Sequence, residues 1–126
     1  LRTLAAALHL RGGGTGGRAK ALLATFPCSR VVVTRGASGA VLFTRRGRAV
    51  TARVAPGYPL PGPAADSVGA GDAFSAVFLA GLLHGWPAAT TLGRANRLGA
   101  AICTVPGARP ESDSFYEPFR RRWGLA

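Results

Sequence analysis

Apolar residues recur at helical spacing in the first quarter of the chain. Leucine and alanine positions in residues 1–8 fall on one face of a helix, so the chain is predicted to open inside one. Residues 11–17 are rich in glycine and predict a flexible surface loop. A second short helix is predicted over 20–26, with its apolar side chains, Phe26 included, turned inward.

The spacing then changes to strand patterns. Residues 31–33 form a continuous β-branched run, which is typical of a parallel strand buried on both faces. Apolar segments at 41–43 and 50–54 flank a basic turn at 45–48 and predict a β-hairpin. Prolines make residues 56–63 extended and irregular.

The second half of the chain predicts three helices. The helix over 71–83 is apolar on nearly every side, so we expect it to lie deep in the protein. A further helix is predicted over 88–103, and a short peripheral one over 115–122. The order of strand, loop and helix indicates a layered α/β fold. Ligands of such folds bind at the carboxyl ends of the strands, which here is residues 34–39.

Length and composition narrow the class of protein. A chain of 126 residues that is 48% hydrophobic predicts a single folded domain, or a piece of one. The net charge of +11 is typical of proteins that bind nucleic acid. The basic residues are scattered, however, with groups only at 45–48 and 120–122, which disfavours a dedicated nucleic-acid surface. Two distant cysteines predict neither a disulfide framework nor a metal site, and they fit a reducing cytoplasm. No signal peptide is visible, and the longest apolar run, 76–83, is too short to cross a membrane.

Residues 66–72, Asp-Ser-Val-Gly-Ala-Gly-Asp, carry the strongest chemical signal. A glycine-rich turn that feeds a helix leaves backbone N–H groups unpaired at the positive end of the helix dipole, where phosphates bind. Asp72 would repel a passively held phosphate, but its carboxylate fits a base that takes the proton from a hydroxyl attacking that phosphate. The alternative is that Asp66 or Ser67 caps a buried helix and the glycines allow tight packing.

This segment, with Phe74, resembles the second signature of the PfkB (ribokinase-like) carbohydrate kinases, Asp-Thr-x-Gly-Ala-Gly-Asp-x-Phe. Ser67 stands where threonine is usual. Residues 31–40 are similar to the family's strand and nucleotide loop, Thr-x-Gly-x-x-Gly, and residues 95–110 to its last helix and the loop over the adenine. The resemblance implies a three-layer α/β/α fold with a mostly parallel sheet plus a hairpin. This chain would be its C-terminal nucleotide-binding and catalytic part, a single domain over 1–126, with the sugar-binding half and lid lying upstream.

The resemblance also implies roles for individual residues. Asp72 would be the catalytic base, and the backbone N–H groups of Gly69, Ala70, Gly71 and Asp72 would form the anion hole. Small residues are needed there because a larger side chain would block the approach of the phosphate.

The nucleotide site is implied at three places. Its phosphates and ribose would meet residues of the strand-end loop, namely Thr34, Gly36 and Gly39. Asn96 would lie beside the adenine, and Gly107 on the loop that closes the pocket. An ordinary strand-end turn at 34–39, and a mid-helix Asn96 that faces water, are the alternatives.

Many family members bind K⁺ or another monovalent cation beside the anion hole. The matching positions, mostly backbone carbonyls, are Asp66, Val68, Ile102, Val105 and Gly107. Glu111 falls near the position of the family's usual last ligand, a serine.

The implied activity is transfer of a phosphoryl group from ATP, with Mg²⁺, to a hydroxyl of a small sugar, with a weak likeness to fructokinase-type members. The family's Asn-x-x-Glu motif, which organises magnesium, is expected upstream of residue 1, so we expect the chain to be inactive alone. Full-length members can be homodimers, and neither a membrane nor a specific nucleic acid is expected as a partner. The alternatives are a non-catalytic nucleotide-binding or interaction module from a truncated kinase and a basic nucleic-acid-binding domain.

Overall fold

The computed structural model describes residues 13–125, so the helix predicted over 1–8 lies outside the described residues. The chain forms two compact units, Leu1–Pro56 and Gly57–Ala126. The single domain over 1–126 stays a prediction.

The first unit consists of one helix and a small antiparallel sheet. Helix α1 spans Gly14–Thr25, and strands β1, β2 and β3 span Arg30–Thr34, Ala40–Arg46 and Ala49–Ala55. The strand order is β1-β2-β3, and both pairs are antiparallel. The predicted hairpin is therefore confirmed as β2–β3.

Helix α1 begins earlier than predicted. Residues 14–17, predicted as part of a surface loop, are helical. Glycine is a poor helix former, but Ala19 and Leu23 of α1 pack with Val41 and Phe43 of β2 in one buried cluster. Tertiary packing of this kind outweighs local propensity. Phe26 follows the end of the helix and is 37% exposed, so the prediction that it points inward is wrong.

Strand β1 is only half-buried, which corrects the prediction of a strand buried on both faces. Its partner is β2, and Val32 lies opposite Leu42 in an antiparallel register. Val31 and Val33 pack on the cluster beneath α1. Because the described residues place a helix on one face of β1 only, the other face stays partly open. No parallel strand pair occurs in residues 13–125, so the mostly parallel sheet is not confirmed.

The second unit is helical and matches the predicted helices closely. Helix α2 spans Ala70–Leu83, α3 spans Ala88–Ile102, and a 3₁₀ turn over Asp113–Tyr116 leads into α4, Glu117–Trp123. Between residues 13 and 125, no helix has the length and hydropathy needed to cross a membrane.

Helices α2 and α3 form an antiparallel pair that is close at both ends. A Cβ on Gly81 of α2 would overlap the side chain of Thr91 of α3. A Cβ on Gly99 of α3 would lie 3.3 Å from the carbonyl oxygen of Ala70. The two glycines therefore allow the backbones to approach.

The expectation that α2 is buried all round is wrong. Phe74, Val77 and Phe78 are buried, whereas Leu79 and Leu83 are 58% and 88% exposed. Since α3 is the helix that packs along α2 in the described residues, it covers one face and leaves the opposite face open.

Candidate functional site

The start of α2 is shaped by Gly69. This residue precedes the helix in the left-handed conformation, with φ of +82°. A Cβ at Gly69 would also overlap the carbonyl oxygen of Ala108. Both the dihedral angle and the contact require glycine, and the contact brings the loop containing Gly107 against the first turn of α2.

Backbone donors at this corner are available to a ligand. Among residues 13–125, the N–H groups of Gly71 and Asp72 meet no hydrogen-bond acceptor. The N–H of Ala70, also predicted as an anion-hole donor, instead donates to the carbonyl of Ser67 at 3.3 Å. Apart from its chain neighbours and the backbone of its own helix, a Cβ on Gly71 would meet no heavy atom of the described residues within 4 Å, which leaves room for an anion.

The carboxylate of Asp72 is exposed in the first turn of α2. Asp72 and Gly69 line a cavity of about 450 Å³. Packing therefore does not bury this corner. A turn that served only to cap the helix could be buried, so the open cavity favours a binding site. The residues that line the rest of the cavity are Ala73, Ala76, Leu98, Ile102, Ala108, Tyr116, Phe119, Arg120, Trp123 and Leu125.

The C-terminal segment is the part of this cavity that the sequence did not predict. Helix α4 was expected to be peripheral, yet Phe119, Arg120 and Trp123 line the cavity together with Asp72. The ring centroids of Phe119 and Trp123 lie 5.4 Å apart. The signal that could have found them is the spacing of aromatic residues at 115, 119 and 123, which places three rings on one helical face.

Four of the five predicted cation positions, Asp66, Val68, Ile102 and Val105, lie near the end of α3. The N–H groups of Ala65 and Asp66 both donate to the carbonyl of Cys103, at 2.8 and 3.2 Å. This places Asp66 beside the helix end that carries Ile102. One carboxylate oxygen of Asp66 accepts from the N–H of Val68 at 3.0 Å.

The donor set at this helix end consists of oxygens. The carbonyl of Ile102 accepts from the N–H of Val105 at 3.0 Å and keeps a second lone pair. Within the described part of the chain, no cluster of three His, Cys, Asp or Glu residues could hold a metal. Carbonyl and carboxylate oxygens are hard ligands, which suit hard cations and not the soft metals that thiolates select.

The predicted phosphate and ribose contacts lie in the first unit. Thr34 ends β1, and the connection to β2 turns through Gly36 and Gly39, with φ of +55° and +85°. The N–H of Arg35 donates to the carbonyl of Gly39 at 2.7 Å, and the N–H of Gly39 donates to that of Gly36 at 3.0 Å. The turn itself accounts for both glycines, so their nucleotide contacts stay a prediction.

Asn96 and Gly107 lie in the second unit with the corner at 69–72. Asn96 is half-buried in the middle of α3, and Gly107 has φ of +75° in the loop after it. Gly107 is thereby placed one residue from the contact between Gly69 and Ala108.

Comparison with known proteins identifies the family. Residues 15–114 match the model of the pfkB family carbohydrate kinases, and the chain belongs to this family. It is 43% identical over 79 residues to the acarbose 7(IV)-phosphotransferase of Actinoplanes sp., covering 63% of this chain and 26% of that protein. It is 34% identical over 91 residues to the ATP-dependent 6-phosphofructokinase isozyme 2 of Mycobacterium tuberculosis, covering 69% of this chain and 25% of that protein. The chain thus spans about a quarter of the length of these relatives.

Solved structures show the same fold. The ribokinase of Thermotoga maritima superposes with a TM-score of 0.68 at 21% identity, over 94% of this chain and 38% of that one. Phosphofructokinase-2 of Escherichia coli, solved in complex with potassium, gives a TM-score of 0.64 at 18% identity, over 98% of this chain and 39% of that one. The chain therefore has a ribokinase-like fold.

Proposed function

We propose that this chain is the catalytic-base and nucleotide-binding part of an ATP-dependent carbohydrate kinase that phosphorylates a hydroxyl of a small sugar. The observation that carries the proposal is the corner at the start of α2. There the exposed carboxylate of Asp72 and the unpartnered N–H groups of Gly71 and Asp72 occur together. The two relatives, a phosphotransferase and an ATP-dependent phosphofructokinase, support the same reaction class.

In this proposal Asp72 takes the proton from the sugar hydroxyl as that oxygen attacks the γ-phosphate. General-base catalysis of this kind contributes about 10²–10⁴ to the rate. The amides of Gly69, Gly71 and Asp72 stabilise the charge on the transferring phosphoryl group, with Ala70 joining them if its contact with Ser67 opens. One such donor contributes up to about 10²–10³.

The nucleotide is proposed to contact the residues predicted from the sequence. Thr34, Gly36 and Gly39 would meet its phosphates and ribose, and Asn96 and Gly107 its base. Mg²⁺, when bound with the nucleotide, would supply positive charge that offsets the negative charge of the phosphates.

A monovalent cation such as K⁺ would be held beside the amides by Asp66, Val68, Ile102, Val105 and Gly107. The hydrogen bonds that fasten residues 65 and 66 to Cys103 support this grouping. The two free, half-buried cysteines support a reducing compartment, and we propose the cytoplasm.

The whole reaction is proposed for a longer protein that contains this chain, since the chain spans about a quarter of its relatives. The test compares the purified 126-residue chain with a full-length version, each given Mg-ATP and a panel of sugars that includes fructose and ribose. Sugar-dependent ADP formation by the full-length version alone is the expected result. No turnover of any sugar by the full-length version would overturn the proposal, and turnover by the isolated chain would overturn the requirement for the longer protein.

A further inference from the structure

A second cavity in the unit Gly57–Ala126 has a strongly basic lining. It measures about 390 Å³ and is lined by Tyr58, Gly93, Arg94, Arg97, Arg122 and Trp123. Three of its six lining residues are arginines, two are aromatic and none is acidic. Trp123 is the one residue that it shares with the cavity of Asp72.

The positive charge of this cavity is not neutralised by the described chain. Among residues 13–125, the ion pair that forms is Arg121 with Glu117, at 3.8 Å on the surface of α4. Arg94, Arg97 and Arg122 meet no carboxylate there. Guanidinium groups around one concave surface repel each other, and a bound anion relieves that repulsion.

Two of the arginines are held in position by aromatic rings. The guanidinium carbon of Arg94 lies 4.0 Å from the ring centroid of Trp86 and 5.7 Å from that of Trp123. The guanidinium carbon of Arg97 lies 5.2 Å from the ring centroid of Tyr58. Stacking uses the face of the guanidinium and leaves its N–H edges for ligand oxygens. Because the side chains are already ordered, less conformational entropy is lost on binding.

We propose that this cavity is a binding site for a phosphate-bearing small molecule, recognised through its phosphate group by Arg94, Arg97 and Arg122. Planar guanidinium groups bind phosphate oxygens in pairs of parallel hydrogen bonds. The volume is that of a small-ligand pocket. A sugar phosphate and an inorganic diphosphate present the same chemistry. Asp72 does not line this cavity, which shares only Trp123 with the cavity of Asp72, and the inference does not depend on the kinase proposal.

The test is a titration of the 126-residue chain with pyrophosphate at physiological salt. Binding is detected by calorimetry and by the change in tryptophan fluorescence. Trp86 and Trp123 are the two tryptophans of the sequence, and both lie beside Arg94, so binding is expected to change their emission. We expect Arg122→Gln and Arg97→Gln each to weaken binding by about tenfold or more, since each removes charged hydrogen bonds to phosphate.

The matched control is Arg121→Gln. Arg121 neighbours Arg122 on the same helix and carries the same charge, but it lies outside the cavity lining and pairs with Glu117. It should change the affinity for pyrophosphate by less than about twofold. Circular dichroism identifies any variant that does not fold, and Arg97→Gln decides the test if Arg122→Gln is one of these.

Three results would overturn the proposal. They are the absence of saturable binding, an equal loss in Arg121→Gln and Arg122→Gln, and tighter binding of a short random DNA duplex than of pyrophosphate. A parallel titration with glucose 6-phosphate identifies the source of the phosphate. The site is supported if pyrophosphate or glucose 6-phosphate binds more tightly than the DNA duplex and if Arg122→Gln removes that binding.

Discussion

Gly69 and Ala108 lie in direct contact, with the carbonyl oxygen of Ala108 at the place that a Cβ on Gly69 would occupy. The first residue sits at the entry to α2, and the second follows α3 in the chain. The contact therefore holds the first turn of α2, which carries Asp72, against the loop of Gly107. The position of the amides at this corner depends on a glycine that has no room for any side chain.

Gly69→Ala should destabilise the protein by about 2–5 kcal/mol, because left-handed backbone strain adds to a clash with backbone atoms. Gly85→Ala is the matched control, since Gly85 also has a positive φ, +66°, but would place its Cβ in open space. The measurement is urea unfolding of both variants. Equal losses of stability would contradict the contact with Ala108.

Gly71→Ala, in the first turn of α2, should reduce phosphoryl transfer without destabilising the protein. A Cβ there has no heavy atom within 4 Å, so the free energy of unfolding should stay the same or rise by up to about 1 kcal/mol. In a full-length version the added methyl would stand where the phosphate approaches, and the rate of phosphoryl transfer should fall by about tenfold or more. Unchanged transfer in a stable Gly71→Ala enzyme would show that no phosphate comes close to this amide.

Gly81→Ala should loosen the pair of helices. Its Cβ would overlap the side chain of Thr91, which is 2% exposed and cannot move into solvent. We expect a loss of about 1–3 kcal/mol in unfolding free energy. Gly93→Ala on the neighbouring helix has open space for its Cβ and should be neutral or stabilising by up to about 1 kcal/mol. The midpoint temperature of thermal unfolding should fall in Gly81→Ala and should stay the same or rise in Gly93→Ala.

Local signals in the sequence predicted the elements well. The helix over Ala70–Leu83 follows from an apolar run ended by Gly85 and Pro87, and the helix over Ala88–Ile102 begins directly after that break. The β2–β3 hairpin follows from the basic turn at Gly47, where φ is +59°. These features depend on residues that are neighbours in the chain.

Properties that depend on residues far apart in the sequence could not be predicted from local signals. The valine run of β1 does not encode the direction of its partner strand, which is antiparallel. The exposure of Leu83 depends on which elements pack against α2, and Trp123 is 51 positions from Asp72 in the sequence although both line one cavity. The motif at 66–72 predicted a site at Gly69 and Asp72, whereas Phe119 and Trp123, which line the same cavity, became visible only in the structure.

The most direct test of the central claim is the rate of phosphoryl transfer by Asp72→Asn in a full-length version of the protein. We expect the rate to fall by about 10²–10⁴ with ATP affinity nearly unchanged, because the amide keeps the shape of the side chain but cannot accept the proton. Asp113→Asn, an exposed aspartate outside the cavity lining, should transfer at the normal rate. Transfer by Asp72→Asn at the rate of the Asp113→Asn control would show that Asp72 is not the catalytic base.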